Sequence, residues 1–352
     1  MNLKNLLKPK GLVLVTGGAG YVGSIVVRRL LQAGHRVRVL DSLCFGDGSI
    51  LELRGNRDFE FQRGDIRDAK AVTKALKHVD SVVHLAAIVG DGACAKDPAL
   101  TLETNYEATV RLTKLSRAGG VSRFVFASTC SVYGQAEIAD ELTRPRPLSL
   151  YATTKLDAEK QVLVATDKGF HSTALRLGTL FGLSPRPRFD LIANLLAAQA
   201  VTDGRIRIDG RTRMRPFLHV DDAARAFVSV LEAPVSTVSG ELFCVGGSEL
   251  NCQLGELADR IRQFLPDIKV DQRAVEDRRS YDINFAKISH VLGFTPGRSL
   301  RSGIAEIIAA ISDGQVRDYR DPEYHNNAPA VSGTASRLVP ARSSVAEAAT
   351  AE

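Results

Sequence analysis

Tryptophan is missing from this chain, and aromatic residues of all kinds make up only 6% of it. A protein that reads nucleic acid usually gathers basic residues into a stripe with aromatic rings between them. Here the densest basic stretch, 186–215, carries seven arginines and three aspartates but a single ring, Phe189. The overall balance is mildly basic, 46 Lys and Arg against 40 Asp and Glu, for a net charge of +6. A small anionic ligand fits that stretch better than a polynucleotide, so no nucleic-acid partner is expected. Long apolar runs are also lacking. None approaches the ~20 residues that a bilayer span needs, and no membrane association is expected. The opening MNLKNLLKPK has no apolar signal core before Pro9 and Gly11 interrupt it, which makes the cytoplasm the expected compartment. The five cysteines, at 44, 94, 130, 244 and 252, are odd in number and form no CxxC pair. They read as reduced thiols, with neither a disulfide framework nor a metal site expected.

What is present is the ordinary balance of a globular protein, 44% hydrophobic and 24% charged over 352 residues. That length suits one large domain or two closely joined ones. Leu12–Thr16 (LVLVT) is a short apolar run ending in glycines, as a buried parallel strand does. An amphipathic helix over 22–33 follows, stopped at Gly34, and then a strand, HRVRVLD, ending at Asp41. The alternation continues with strands at 59–62, 81–85, 123–127 and 172–177 and helices at 69–77, 100–118 and 151–165. Strands separated by helices imply right-handed crossovers and a parallel sheet covered on both faces. The predicted fold class is therefore α/β, a doubly wound parallel sheet over 11–182 that also takes up about 216–248. Beyond residue 180 the pattern loosens. Helices at 189–202, 221–232, 253–264 and 299–312, with Pro- and Arg-rich connections, predict a smaller, interleaved α/β lobe at 183–215 and 249–320. The Ala-, Ser- and Pro-rich segment 326–352 reads as a disordered tail.

Between the first strand and the first helix lies Thr16-Gly17-Gly18-Ala19-Gly20-Tyr21-Val22-Gly23. Gly17 permits a tight turn, Gly20 lets a pyrophosphate approach the backbone, and Gly23 lets the helix pack close to the sheet. Amide groups at the helix start then face the phosphate, helped by the helix dipole. The position after a strand and before a helix separates this from a merely glycine-rich loop. Asp41 is an independent sign, 18 residues after Gly23 at a strand end. A carboxylate there can bind both ribose hydroxyls of the adenosine and would repel a 2′-phosphate, so the expected cofactor is NAD rather than NADP. The plainer role for Asp41 is a turn cap.

Tyr151-Ala152-Thr153-Thr154-Lys155 sets a phenol and an ammonium four apart on a predicted helix, hence on one face. A free phenol has a pKa of ~10, too high for a good base at neutral pH. A nearby lysine cation and a positive nicotinamide both favour the phenolate and would draw it toward the working range. The chemistry also needs a hydroxyl beside the tyrosine to hold the substrate oxygen. Ser128, Thr129 and Ser131 all stand at the end of the RFVFA strand as candidates.

These segments together resemble the extended short-chain dehydrogenase/reductases, and within them the NAD-dependent nucleotide-sugar epimerase/dehydratase family, which includes the UDP-glucose/UDP-galactose 4-epimerases. TGGAGYVG, the HLAA strand end at His84–Ala87, the SxxxVYG segment before Gly134, YxxxK, and RPFLHVDD at 215–222 agree in order and spacing, and the likeness runs from about 11 to 320. The resemblance implies a Rossmann domain with Tyr151 as acid/base, Lys155 as its helper and Thr129, four residues before Tyr133, as the catalytic hydroxyl. Ser128 and Ser131 remain close competitors. It places NAD on Gly17, Gly20, Tyr21, Val22, Asp41, Asp65, Ile66, Leu85, Ala86, Ala87 and Asn105, as well as on Tyr151 and Lys155. For a nucleotide-diphosphate sugar it implies Asn194 and Leu195, Arg215, and Arg278 or Arg279. Planar guanidinium groups suit a diphosphate. Thr179 stands where the family usually has Asn in its LRxxNxYG motif, which alters one substrate contact. A homodimer through helices 100–118 and 151–165 is also implied.

Reaction type turns on the two residues after Thr129. The resemblance implies Asp-Glu there for a 4,6-dehydratase and a Glu at the second position for a decarboxylase. This chain has Cys130-Ser131. Epimerisation, at C4, is therefore the expected reaction, with a 4-ketoreductase, dehydrogenase or dehydratase as the alternatives. A non-catalytic NAD-sensing regulator is a remote one, since such proteins lose the Tyr–Lys pair. His84 and His219 lie in strand-like apolar segments and read as core histidines. Asp221 and Asp222 read as caps of the helix that follows them.

Overall fold

The computed structural model describes residues 10–273 and 279–326. Arg278, the first nine residues and nearly all of the predicted tail lie outside the described residues.

Strand β1 (Lys10–Thr16), buried over its last five residues, turns through the glycines into helix α1 (Tyr21–Gln32). Strands β2 (His35–Asp41) and β3 (Phe59–Arg63) add to one side of it, and β4 (Ser81–His84) pairs with its other side. Helix α2 (Ala69–Ala75) joins β3 to β4 and starts where the Asp68 side chain accepts the Lys70 N–H. After β4 come α3 (Asp91–Lys96), α4 (Pro98–Leu102) and α5 (Ala108–Ala118). A π turn at Glu103–Glu107 joins the last two. Such wide turns insert one extra residue into a helix and are frequent at functional sites. The helix predicted over 100–118 is thus one helix with a widened turn, which the apolar periodicity does not reveal.

Strand β5 (Arg123–Thr129) leads through β6 (Gln135–Ala139) to α6 (Leu150–Val164), capped by Ser149, and to β7 (His171–Leu177). Then follow β8 (Thr179–Phe181), α7 (Ile192–Asp203), β9 (Arg205–Asp209) and β10 (Met214–His219). Helices α8 (Val220–Glu232) and α9 (Val235–Val238) return the chain to the main sheet as β11 (Leu242–Val245). The last part holds β12 (Asn251–Gln253), α10 (Leu254–Arg262), β13 (Lys269–Arg273) and β14 (Ser280–Ile283), followed by α11 (Ala286–Leu292) and α12 (Leu300–Ser312).

The main sheet has seven strands in the order β3-β2-β1-β4-β5-β7-β11, and each pair is parallel. One face packs on α1 and α8 through Val26, Leu30, Phe227 and Val230. The other packs on α2, α5 and α6 through Val72, Leu112 and Val162 against Phe124 and Phe126. Each such side chain, once buried, contributes about 1.5–3 kcal/mol of transfer free energy. A third core, Phe181, Leu196, Phe217, Leu257 and Ile304, belongs to the smaller lobe and its short strands. Strand β10 lies there, between β8 and β12, whereas α8 and β11 belong to the main sheet. Among the described residues no helix is long and apolar enough to cross a membrane.

Chain order reverses between β1 and β4. In an open parallel sheet, that reversal leaves a crevice beyond the carboxyl ends of the strands. The smaller lobe roofs it.

Candidate active site

A cavity of about 770 Å³ occupies the crevice, a size suited to ligands larger than a single sugar. The glycine turn forms its floor. Gly17 has φ +73°, and a Cβ there would stand 2.8 Å from the Ala86 nitrogen. At Gly23 a Cβ would stand 2.0 Å from the Gly17 carbonyl oxygen and 2.7 Å from the Gly18 Cα, so α1 touches the turn backbone to backbone. Gly23→Ala is expected to destabilise the fold by about 2 kcal/mol, the scale of overpacking against atoms that cannot yield. Urea unfolding checks this, and a loss under about 0.5 kcal/mol would refute the close-packing argument.

The end of β2 supplies Asp41, whose carboxylate accepts from the Ala19 N–H (3.0 Å) and the Leu43 N–H (2.8 Å). Burial raises it above the usual carboxylate range despite those two bonds. Asp65 lies across the cavity rim. Burial would raise it, but hydrogen bonds from Arg67 prevail and hold it below the usual range. Gly20, Val22, Ile66, Leu85, Ala86 and Ala87 line the wall between them. Tyr21 lines it too, and its hydroxyl donates to the Gly182 carbonyl (2.7 Å), tying the turn to the smaller lobe. These residues fit a dinucleotide: at Gly17 and Gly23 the floor has no room for a Cβ, and two backbone N–H groups hold a carboxylate at the far end.

The opposite end holds the tyrosine. Of the three candidate hydroxyls, Thr129 is the one whose side chain favours the ionised Tyr151 phenol, and its Oγ1 accepts from the Ser131 N–H (3.1 Å). Ser128 points under the sheet, where it donates to the buried Glu159 carboxylate (2.5 Å). Ser131 meets the Tyr281 hydroxyl (3.3 Å). Lys155, one turn after Tyr151 on α6, is buried with Nζ 4.1 Å from the Phe126 ring centroid.

Burial pushes Lys155 down to about 7, opposed by the charge of Glu159. Burial pushes the Tyr151 phenol up, opposed by Thr129 and the positive charge of Arg188. A phenol drawn down by Lys155 is therefore not what the protein's own residues produce. Desolvation outweighs the neighbours, and the lysine loses charge stability from the same burial. His84 is a core histidine, held between Thr16 (2.7 Å) and Thr109 (2.9 Å) and driven to about 3 by burial and the Lys155 charge. His219 is buried beside Glu306 (2.7 Å). Asp221 pairs with Arg29, and Asp222 accepts the N–H groups of Gly297 and Arg298. Those aspartates therefore tie elements together. The α8 cap is the His219 side chain, which accepts the Asp221 N–H.

Three predicted contacts do not line the cavity. The Asn105 amide is spent on the Ile88 backbone, accepting its N–H (2.8 Å) and donating to its carbonyl (2.9 Å). It shapes the loop after β4 from within the π turn. Asn194 is likewise spent, on both backbone groups of Gly182 and the Arg188 carbonyl. Leu195 is half-buried and packs against the core cluster that contains Phe189. One turn earlier, Leu191 and Ile192 at the start of α7 line the cavity instead.

Thr179, Arg215 and Arg279 do line it. Arg215 donates to the Arg279 carbonyl (2.7 Å), and Arg279 pairs with Asp91. Arg188, not anticipated from the sequence, lines the cavity too, gripped along one guanidinium edge, Nε and Nη2, by Asp190 (3.0 and 2.6 Å). Its signal was the RPRFD string, in which an arginine two residues before an aspartate can fold back onto it.

Residues 13–246 match the NAD dependent epimerase/dehydratase family. The chain is 29% identical over 308 residues to a UDP-glucose 4-epimerase of Lactobacillus helveticus, covering 81% of this chain and 92% of that protein. It is 30% identical over 314 residues to a dTDP-glucose 4,6-dehydratase of Streptomyces griseus, covering 84% and 93%. A solved structure of UDP-glucuronic acid 4-epimerase from Bacillus cereus, in complex with UDP-glucuronic acid and NAD, matches with a TM-score of 0.78 at 28% identity. That match covers 86% of this chain and 99% of the other.

Proposed function

Because this chain belongs to the NAD dependent epimerase/dehydratase family, we propose that it uses NAD to invert one carbon, C4, of a nucleotide-diphosphate sugar. The observation that carries the choice of epimerisation is the end of β5. Eliminating water needs an added acid and base next to the sugar. The two residues after Thr129 supply neither. The Cys130 thiol turns away to donate to the Arg176 carbonyl (3.3 Å), and burial pushes it well up. Ser131 offers only a hydroxyl. Five aspartates line the cavity, at 41, 65, 91, 97 and 190. Each already has a partner: backbone N–H groups for Asp41 and Asp97, Arg67 for Asp65, Arg279 for Asp91 and Arg188 for Asp190.

In this reading Thr129 and Tyr151 receive one sugar hydroxyl between them. Tyr151 takes its proton as the carbon is oxidised and returns a proton when the carbon is reduced. NAD, when bound, supplies the hydride acceptor and gives the hydride back. Lys155 sits beneath the tyrosine as its helper. Inversion needs the oxidised sugar to present its other face while the diphosphate stays fixed. Arg215, Arg279 and the free N–H groups at the start of α7 suit that anchoring role. Thr179 and Ser131 also line the cavity and offer small polar groups to the turning sugar. The main sheet carries the cofactor in this scheme, and the smaller lobe carries the nucleotide.

Incubation with a panel of UDP-, GDP-, CDP- and dTDP-sugars, with products resolved by mass and stereochemistry, tests the proposal. An isomer of equal mass with no net change in NADH absorbance is expected. A product lighter by one water, or stoichiometric NADH, would replace it with a dehydratase or a dehydrogenase.

A further inference from the structure

One cavity residue has no part in that scheme. Arg186 leaves the smaller lobe on the loop between β8 and α7 and lines the cavity close enough to Asp41 for its charge to act on that carboxyl. It is only 7% exposed. Its guanidinium carbon lies 3.9 Å from the ring centroid of Phe45, four residues past the end of β2. One nitrogen donates to the Asn326 side chain (2.6 Å) and another to the Glu323 carbonyl (3.4 Å). Its Nε is buried with no hydrogen-bond partner among the described residues.

Residues 322–326 act as a strap across this end. The Phe189 N–H donates to the Tyr324 carbonyl (2.9 Å), and the Phe189 ring meets Tyr324 and Tyr319 edge-on at 5.7 and 6.2 Å. Arg186, Phe45, Asp41 and Asn326 all line the same cavity as Tyr151. A cation stacked on a ring is a well-formed contact, and here it bridges the sheet domain, the lobe and the strap.

We propose that Arg186 and Phe45, backed by the strap, form a clamp over the adenosine end of the bound dinucleotide and set how slowly it leaves. This rests on the reading that the cavity takes NAD at the glycine turn and Asp41. The clamp brings a fixed positive charge to the place where β2 delivers its carboxylate, on a guanidinium whose Nε–H is still unspent. Ribose hydroxyls and phosphate oxygens are the acceptors such a group recognises. An enzyme that regenerates its cofactor every turnover gains from slow release, because each loss interrupts the cycle. Leaving would require the stack between Arg186 and Phe45 to part.

The test uses the full chain and its Arg186→Ala, Arg186→Lys, Phe45→Leu and Asn326→Ala variants. The dissociation rates of NAD and ADP-ribose are read by stopped-flow displacement, and UDP affinity by calorimetry. Arg186→Ala should release both NAD and ADP-ribose about tenfold faster, the scale of one desolvated cation–ring contact. Phe45→Leu and Asn326→Ala should move the same way by smaller factors. Arg186→Lys should follow the alanine variant, because the ammonium keeps the charge without the planar stack. UDP affinity should change less than twofold, since the substrate end is untouched. An unchanged release rate in Arg186→Ala, wild-type behaviour in Arg186→Lys, or an equal loss of UDP affinity would each overturn the clamp. A wild-type protein that binds no NAD would instead overturn the cofactor reading beneath it.

Discussion

Tyr151→Phe is expected to lower turnover about a thousandfold, the middle of the range for losing a positioned acid–base group. The substitution keeps the aromatic ring that α6 carries into the cavity and removes only the phenolic oxygen. Cofactor retention and melting temperature should therefore stay near wild type while kcat collapses. A fall of less than tenfold would mean that another group moves the proton. The pH profile carries a second sign. Tyr151 is raised above its usual value, so the rate should climb as pH rises toward its ionisation. Lys155, at about 7, loses its charge above neutrality, which removes support from the phenolate and bends the profile down. The two limbs describe the coupled pair rather than either residue alone. Stability moves differently. The folded lysine releases its proton near 7, against ~10.4 in the unfolded chain. Between those values the unfolded state holds more protons, so stability rises with pH across that window and is flat below it. Lys155→Met should abolish that slope.

Much of this arrangement was legible in the chain. Alternating short apolar runs and amphipathic helices fixed the first six parallel strands, because burial on both faces leaves an unbroken apolar run. The glycine turn and Asp41 were legible because close backbone approach and a strand-end carboxylate are local requirements. What was not legible was local too. Asn194 and Leu191 lie one helical turn apart in a string, LIANLL, whose composition barely changes along its length. A helix shifted by one turn presents the same face, so position along the axis had no signal. Asn105 reads as a polar residue near the site, yet the π turn swings its amide onto the Ile88 backbone. Short strands such as β6, β9 and β14 escaped notice because three to five residues give too little pattern to separate from loop. Arg186 meeting Phe45 depends on how two lobes close, and no spacing in sequence encodes it.

The largest loss of stability is expected from Glu159→Leu. Glu159 and Arg176 are both buried and joined by two hydrogen bonds (2.6 and 2.9 Å) between α6 and β7. Ser128 donates to the same carboxylate, and the Arg176 guanidinium also donates to the Tyr133 hydroxyl (2.7 Å). Removing the carboxylate strands a guanidinium beneath the sheet, which costs about 3–5 kcal/mol, a large share of a typical domain's ~5–15 kcal/mol. Arg176→Met in the same chain should recover most of that loss, since an apolar pair of similar volume leaves no charge unpaired. Denaturant melts of the two single variants and the double one form the cycle. A single-variant loss under about 1 kcal/mol, or no recovery in the double, would show the pair to be dispensable. The pair also reaches the chemistry. Glu159 is one helical turn past Lys155 and opposes the drop that burial imposes on it. With the carboxylate gone, Lys155 should discharge at lower pH. The falling limb of the rate profile should then move to the acid side in the rescued double variant, separating its effect on the active site from its effect on the fold.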